Sequence, residues 1–199
     1  EEVLDKLRAG LHIYVREGSG AKNLETLIKT MLDAGVCLDR CAFCTDDKHV
    51  EEIRKEGHIS TCIRKAIALG VPVAKAYKMG SYQAAEFYGL KNYGAIGAGY
   101  RADIVFLDDL EQVRPLDVMK DGRILTEEDY AKDYSVPVPD ELLHTVHVGE
   151  VTKEKIRLSC DGKTDVIQMN PHQIVTTHLV EEVPTENGYF KSDGVYNKI

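Results

Sequence analysis

The sequence VCLDRCAFCTDDKH, residues 36–49, combines a short apolar run with two adjacent carboxylates. The run Cys41–Cys44 predicts a buried strand, and Asp46 and Asp47 follow it directly before a charged helix. An acid at the carboxyl end of a buried strand is where α/β barrels and open α/β sheets place catalytic groups. Two adjacent acids before a helix are also typical of an N-cap, so from local pattern alone the catalytic and the capping interpretations both stand.

A second unit of the same kind precedes this stretch. Leu11–Val15 predicts a strand, Lys22–Ala34 predicts an amphipathic helix, and the polar loop REGSG, residues 16–20, joins them. Successive strand–helix units imply a parallel sheet or barrel, in which the carboxyl ends of the strands share one edge. An ordinary surface turn with an ion pair is the alternative for the REGSG loop. The polar side chains expected to converge at the shared edge are Arg16, Glu17, Ser19, Asp46, Asp47 and His49.

Composition narrows the class of protein. The 199 residues carry a formal net charge of -8, with 43% hydrophobic and 29% charged residues, which predicts a packed core rather than disorder. An acidic chain is a poor candidate for general binding to nucleic acid or to membrane surfaces. The longest apolar runs fall short of the roughly 20 residues that span a bilayer, and the N-terminus is acidic and unlike a signal peptide. We therefore expect an intracellular, cytoplasmic protein.

The cysteines allow two interpretations. Cys37, Cys41 and Cys44 follow a CxxxCxxC spacing, which is compatible with a zinc or iron–sulfur site. Reduced cysteines are also common as small buried core residues, and Cys62 has the spacing of a core-facing helical position. Five cysteines in an acidic chain without a signal peptide do not indicate a disulfide framework.

The rest of the chain mixes helices with β-prone runs. Val50–Leu69 predicts a helix broken near Gly57, and Ser81 is a candidate N-cap of a later short helix. Residues 126–142 are a polar connector, and Asp121–Gly122 predicts a hairpin turn. Strands are predicted at residues 102–107, 113–119, 123–125, 144–148, 155–158, 164–169 and 174–179.

Several motifs carry a family resemblance. Residues 94–125, GAIGAGYRADIVFLDDLEQVRPLDVMKDGRIL, resemble the segment that leaves the barrel of an amidohydrolase-superfamily enzyme and returns to its small β-sandwich. Upstream, VREGSGAKNL at residues 15–24, CAFCTDDKHVEEIRKEGHIS at residues 41–60 and AAEFYGL at residues 84–90 resemble bacterial adenine deaminases, in the same order. The resemblance is good to about residue 125 and weakens beyond about residue 140.

This resemblance implies an α/β fold of a particular kind. It is the C-terminal part of a metal-dependent (β/α)8 amidohydrolase barrel, followed by β-sandwich strands and the start of a C-terminal α+β domain. Because the chain begins after the position of the sixth barrel strand, we expect it to hold two of the eight strands. The expected divisions are the last barrel units at 1–92, a β-sandwich segment at 93–126, a linker at 127–142 and the start of the C-terminal adenine deaminase domain at 143–199.

The resemblance also implies a reaction, the hydrolysis of adenine to hypoxanthine and ammonia in purine salvage. The expected cofactor is a divalent metal, manganese or iron, with zinc as the alternative. By its position in CTDD, Asp46 is expected to be both a metal ligand and the catalytic proton shuttle, while Asp47 supports it or caps the helix. Arg16, Glu17 and Ser19 are expected to bind the substrate.

The chain also departs from the family pattern. The metal-binding HxH, the bridging carboxylate and two later histidines of the family are expected upstream of Glu1. We therefore expect this chain to be inactive alone and to form a homo-oligomer or associate with an N-terminal part, without nucleic-acid or membrane partners. The alternatives are a non-catalytic fragment or subunit that completes a partner's barrel, and another amidohydrolase, such as a dihydroorotase-like or imidase-like enzyme.

Overall fold

Strands and helices alternate along the first part of the chain. A computed structural model describes residues 2–132, 135–171 and 173–197. It contains two compact units, the first holding the described residues up to Ala131 and those within 171–174, and the second holding the described residues within 132–170 and 175–199. The helices of the first unit are α1 (Glu2–Arg8), α2 (Leu24–Asp33), α3 (Val50–Glu56), α4 (Ile59–Ala68), α5 (Val73–Gly80), α6 (Tyr82–Phe87) and α7 (Glu127–Ala131). Its strands are β1 (Ile13–Arg16), β2 (Cys41–Cys44), β3 (Ile104–Leu107), β4 (Pro115–Lys120) and β5 (Arg123–Ile124).

The two strands predicted around the REGSG and CTDD loops form a parallel pair. β1 and β2 lie in register from Ile13 opposite Cys41 to Arg16 opposite Cys44, and α2 is the connection between them. A parallel pair needs such a crossover connection, because a tight hairpin can join only antiparallel strands. This confirms the predicted α/β organisation, although β1 begins at Ile13 rather than at Leu11.

The strand–helix–strand unit buries one face of its sheet. Ile13 and Val15 point into the core, whereas Tyr14 and Arg16 alternate onto the other face. The helices cover the buried face with apolar side chains that repeat at helical spacing. The buried core side chains from α2, α4 and α5 are Leu24, Ile28, Met31, Cys62, Ile63, Ala66, Ala76 and Met79. The opposite face is therefore the one that carries polar groups toward the loop edge.

β3, β4 and β5 form a separate antiparallel sheet. Asp121 and Gly122 join β4 to β5 with φ values of 52° and 79°, as a tight hairpin turn requires, so the predicted turn is confirmed. Val113 was predicted to open a strand, and this prediction is wrong, because β4 begins at Pro115. Val113 instead adopts φ 53° and lies 6% exposed in the core of the first unit.

The second unit contains short elements and two antiparallel strand pairs. Its elements are α8 (Asp140–Leu143), α9 (Lys153–Ile156), β6 (Lys163–Met169), β7 (Thr176–Glu182), β8 (Thr185–Glu186) and β9 (Tyr189–Phe190). β6 pairs with β7, which confirms the strands predicted at 164–169 and 174–179 with shifted ends. The strand predicted at 144–148 is wrong, because Val146 and Val148 are exposed without regular structure. The strand predicted at 155–158 is also wrong, because Thr152 caps a helical turn there.

The predicted connector at 126–142 is partly helical. Asp129 in α7 accepts hydrogen bonds from the backbone N–H of Thr126 at 2.8 Å and from the side chain of Arg123, which closes the first turn of the helix. Residues 133 and 134 lie outside the described part of the chain, and the predicted division into four regions stays a prediction. No helix within residues 2–132, 135–171 and 173–197 is long and apolar enough to cross a membrane.

Candidate active site

The loops after β1 and β2 meet at one edge of the parallel pair. Arg16 is the last residue of β1, and its Nη1 donates a hydrogen bond to Oδ2 of Asp46, two residues beyond the end of β2. The Arg16 side chain is 21% exposed and that of Asp46 is 54% exposed. The pair is thus held by the sheet on one side and open to solvent on the other, an arrangement suited to meeting a ligand.

Asp46 has an unusual backbone conformation. Its φ is 54°, in the left-handed region that L-residues other than glycine seldom adopt, although aspartate tolerates it better than most. The N-cap of α3 is His49, whose backbone is extended. The interpretation of the two acids as an ordinary N-cap is therefore wrong, because α3 begins only at Val50. Backbone outliers of this kind cluster at functional sites, which directs attention to Asp46.

Asp47 ties the two loops together. Its Oδ2 accepts a hydrogen bond of 2.7 Å from the backbone N–H of Gly20, and this bond holds the pKa of Asp47 below its usual range. Gly18 lies so close that a Cβ atom there would stand 1.7 Å from Oδ1 of Asp47. The two glycines of the REGSG loop are therefore needed for the approach of the Asp47 carboxylate.

Ser19 makes the second connection between the loops. Its Oγ accepts a hydrogen bond of 2.9 Å from the backbone N–H of His49 and donates one to the carboxylate of Glu52 in α3. We call the contacts among Gly18, Ser19, Gly20, Asp47 and His49 the loop brace. The predicted contact of Ser19 with the substrate stays a prediction, and in this structure its hydroxyl makes the contacts of the loop brace.

Glu17 is directed away from the Arg16–Asp46 pair, into the protein. The residue is 4% exposed, and its carboxylate accepts hydrogen bonds from Nζ of Lys65 at 2.5 Å and from the backbone N–H of Leu24 at 3.4 Å. Its own backbone N–H donates to the carbonyl oxygen of Cys44 at 3.0 Å. The structure therefore brings Arg16 and Asp46 together, while the predicted substrate contacts Glu17 and Ser19 have other partners.

Sequence reasoning missed two neighbours of this pair. Asn23 accepts a hydrogen bond of 3.1 Å from Nη2 of Arg16. His58, between α3 and α4, lies with its Nε2 2.8 Å from the hydroxyl of Thr45, the residue before Asp46. The sequence around Asn23 carries only the signal of an N-cap residue, so no local pattern indicated its contact with Arg16.

Aromatic side chains extend the site along the open face of the sheet. Tyr14 and Tyr88 line the same open depression as Arg16 and Asp46. Burial and the hydrogen bond with Tyr88 raise the pKa of Tyr14 to about 12, so its phenol is neutral at physiological pH. The depression therefore joins two aromatic side chains, with rings tilted by 43°, to a cation and a carboxylate, a combination suited to binding a planar polar ring.

Asp46 supplies a single possible metal ligand. A carboxylate oxygen is a usual donor to divalent cations, and catalytic metal sites keep about three protein ligands. Within the described ranges, no group of three or more histidine, cysteine or acidic side chains is placed to hold a metal ion. A metal centre that used Asp46 would therefore need further ligands from outside the described residues.

The cysteines nearest the site are placed in or beside the core. Cys41 and Cys62 are buried, and burial raises the pKa of their thiols to about 11 and about 12. Burial, followed by the negative charge of Asp46, also raises the pKa of Cys44. These thiols are therefore protonated at neutral pH, as expected for core residues.

Comparison with known proteins identifies the family of this chain. Residues 3–125 match the amidohydrolase family, which covers more than half of the chain. The chain belongs to the amidohydrolase family. Amidohydrolases are generally metal-dependent hydrolases, which agrees with an open carboxylate at a strand end.

Several adenine deaminases are similar to this chain in sequence. The chain is 38% identical over 197 residues to adenine deaminase of Desulfitobacterium hafniense, with 98% of this chain and 34% of the relative covered. It is 40% identical over 189 residues to adenine deaminase of Methylobacterium nodulans, with 94% and 33% covered. The chain thus spans about a third of the length of these relatives.

A solved structure supports the fold. Beta-aspartyl dipeptidase from the thermophile Fervidobacterium islandicum, determined with a beta-Asp-Leu dipeptide, aligns with a TM-score of 0.52 and 19% identity. The alignment covers 68% of this chain and 38% of the dipeptidase chain. At this identity the likeness concerns the α/β fold of an amidohydrolase.

Proposed function

We propose that this chain contributes the Arg16–Asp46 edge to the active site of an adenine deaminase. The reaction is adenine plus water to hypoxanthine plus ammonia, a step of purine salvage. The observation that carries the proposal is the ion pair of Arg16 with Asp46 at the carboxyl edge of a parallel β–α–β unit. Relatives with the name adenine deaminase, 33–40% identical over nearly the whole chain, support the choice of substrate.

The proposal includes a (β/α)8 barrel. β1, α2, β2 and the helices that follow, within residues 1–92, would be the last units of that barrel. The antiparallel β3–β4–β5 sheet, within 93–126, would belong to a β-sandwich. Residues 127–142 would be the linker, and 143–199 the start of a C-terminal domain. The parallel register of β1 and β2 supports this arrangement, because barrel strands are parallel neighbours joined by helices.

Asp46 is the proposed catalytic residue. Its carboxylate accepts the proton from the water that attacks C6 of adenine, and it returns that proton to the exocyclic nitrogen, which leaves as ammonia. Asp46 would also be one ligand of a divalent metal, manganese or iron with zinc as the alternative. When bound, such a metal lowers the pKa of a water molecule toward neutrality.

Arg16 is the proposed substrate contact. Its guanidinium lines the open depression beside Tyr14, where it donates to acceptor nitrogens on the purine edge. The roles of Glu17 and Ser19 as substrate contacts stay predictions. In this structure they support Arg16 and Asp46, since Glu17 holds the start of α2 and Ser19 holds the start of α3.

A substrate panel tests the proposal. The natural full-length polypeptide that carries these residues is loaded with Mn2+ or Fe2+ and assayed for ammonia release and the change in purine absorbance. We expect turnover of adenine and little turnover of dihydroorotate or of a beta-aspartyl dipeptide. Preferred hydrolysis of dihydroorotate or of the dipeptide would identify another amidohydrolase in place of an adenine deaminase. Absence of turnover on all three would favour a non-catalytic subunit.

A further inference from the structure

The first turn of α2 breaks a local rule. Asparagine is among the strongest N-cap residues, because its side chain accepts a hydrogen bond from a free N–H of the helix start. Asn23 occupies the N-cap position of α2, with φ -102° and ψ -9°, and makes no side-chain cap hydrogen bond. Its Oδ1 accepts instead from Nη2 of Arg16 at 3.1 Å. The side chain of Asn23 therefore binds the guanidinium of Arg16 rather than a backbone N–H of the helix.

Another residue takes over part of the capping. The backbone N–H of Leu24, the first residue of α2, donates to Oε2 of Glu17 at 3.4 Å. The other carboxylate oxygen of Glu17 holds the ammonium of Lys65 at 2.5 Å, so Glu17 is fixed in place. A carboxylate at a helix N-terminus is also favoured by the helix dipole. This substitute acceptor explains why α2 begins normally although Asn23 is engaged elsewhere.

Two contacts then fix the guanidinium of Arg16. One terminal nitrogen, Nη1, donates to Asp46, and the other, Nη2, donates to Asn23. The guanidinium is planar, so contacts on both terminal nitrogens determine the orientation of its plane. With the Asp46 contact alone, the group could rotate about that single hydrogen bond.

We propose that Asn23 is a positioning residue, which holds the plane of the Arg16 guanidinium beside Asp46 for binding and turnover of the purine. The proposal rests on the function proposed above. It assigns Asn23 a role in the site through Arg16 and no structural role as a helix cap.

The first test measures the mobility of the Arg16 guanidinium in this 199-residue chain and does not require catalytic turnover. Nitrogen-15 NMR of the arginine side chains reports whether rotation about the Cζ–Nη bonds is restricted. We expect separate, slowly exchanging Nη signals for Arg16 in the wild type and averaged signals in Asn23→Ala. Asn23→Asp, which keeps an acceptor of the same size, should restore the separate signals.

The second test separates positioning from capping. Asn23→Ser retains a strong N-cap side chain that is too short to reach Arg16, and Thr26→Ala is a control at an exposed position in the same first turn. We expect the thermal midpoints of Asn23→Ala, Asn23→Ser and Thr26→Ala to stay near the wild type. In the natural full-length polypeptide, Asn23→Ala and Asn23→Ser should lower kcat/KM for adenine by about 10- to 100-fold, and Thr26→Ala should not.

Two results would overturn the proposal. Unchanged Arg16 signals in Asn23→Ala would mean that Asn23 does not hold the guanidinium. A lower thermal midpoint in Asn23→Ala that Asn23→Ser restores would identify an ordinary cap. If the wild type does not turn over adenine, the proposed function fails separately, and the Arg16 signals still decide whether Asn23 positions the guanidinium.

Discussion

Gly18→Ala is the substitution that most directly probes the loop brace. A Cβ atom at position 18 would stand 1.7 Å from Oδ1 and 2.9 Å from Cγ of Asp47, and 3.0 Å from the carbonyl oxygen of Thr45. An ordinary carbon–oxygen contact is about 3.3 Å. The carboxylate of Asp47 must therefore move by about 1.6 Å and release the N–H of Gly20, whereas the backbone contact with Thr45 cannot be relieved by a side-chain rotation.

The expected cost follows from this overlap. Forcing one extra carbon into a filled site destabilises a protein by about 1–3 kcal/mol. Gly20→Ala is the matched control in the same loop, because its Cβ would meet only Oδ2 of Asp47, at 2.9 Å. We expect Gly18→Ala to lower the free energy of unfolding by this amount and Gly20→Ala to lower it by less.

The assay is urea denaturation of the chain, followed by far-UV circular dichroism. The double variant Gly18→Ala with Asp47→Ala provides the sharper comparison, since the truncated Asp47 leaves the space that the new Cβ needs. We expect the double variant to be more stable than the sum of the two single effects predicts. Additive effects, or a Gly18→Ala variant as stable as Gly20→Ala, would refute the close packing of Asp47 against Gly18.

Three further predictions follow from the core and its charges. Val113→Ala should lower the free energy of unfolding in urea by about 1–2 kcal/mol, because it removes two buried methyl groups; no change would mean that Val113 does not pack in the core. Lys65→Met should lower the free energy of unfolding by about 1–3 kcal/mol, since it leaves the buried Glu17 carboxylate without the ammonium group that pairs with it. Adding Glu17→Gln to the same chain should restore most of the loss. An unchanged free energy of unfolding in Lys65→Met would contradict the pairing. Burial raises the pKa of Cys62 from 9.0 to about 12, so the thiol ionises at a lower pH in the unfolded chain than in the folded one. The contribution of Cys62 to the free energy of unfolding should therefore be full below pH 9 and decline from there toward pH 12. Cys62→Ala should weaken this decline, as measured by thermal midpoints at stepped pH, and an unchanged pH profile would argue against the burial of Cys62.

The parts of the fold that were predicted correctly depend on local pattern. The run Cys41–Cys44 was assigned as a strand with its observed ends, because a continuous apolar segment between turn residues leaves little choice. The Asp121–Gly122 turn was predictable because both residues tolerate positive φ. The meeting of Arg16 and Asp46 followed from topology, since parallel neighbours end at one edge of a sheet.

The parts that were missed depend on tertiary contacts. Asn23 carries an ordinary cap signal, and only the nearby Arg16 and Glu17 show why its side chain is used elsewhere. Val113 fits a strand by composition, yet it turns into the core of the first unit at a positive φ. The run at 144–148 is β-prone, and β propensity alone does not make a strand without a neighbouring strand to pair with.

The central claim is that Asp46, at the edge it shares with Arg16, carries the proton in adenine hydrolysis. Its most direct test is kcat/KM for adenine in the natural full-length polypeptide, compared between Asp46→Asn and Asp47→Asn. The amide of Asp47→Asn can still accept from Gly20, so this variant keeps the loop brace and serves as the control. The account predicts a loss of about 10²–10⁴-fold for Asp46→Asn and a much smaller loss for Asp47→Asn. Near-normal turnover by Asp46→Asn, or equal losses in both variants, would contradict it.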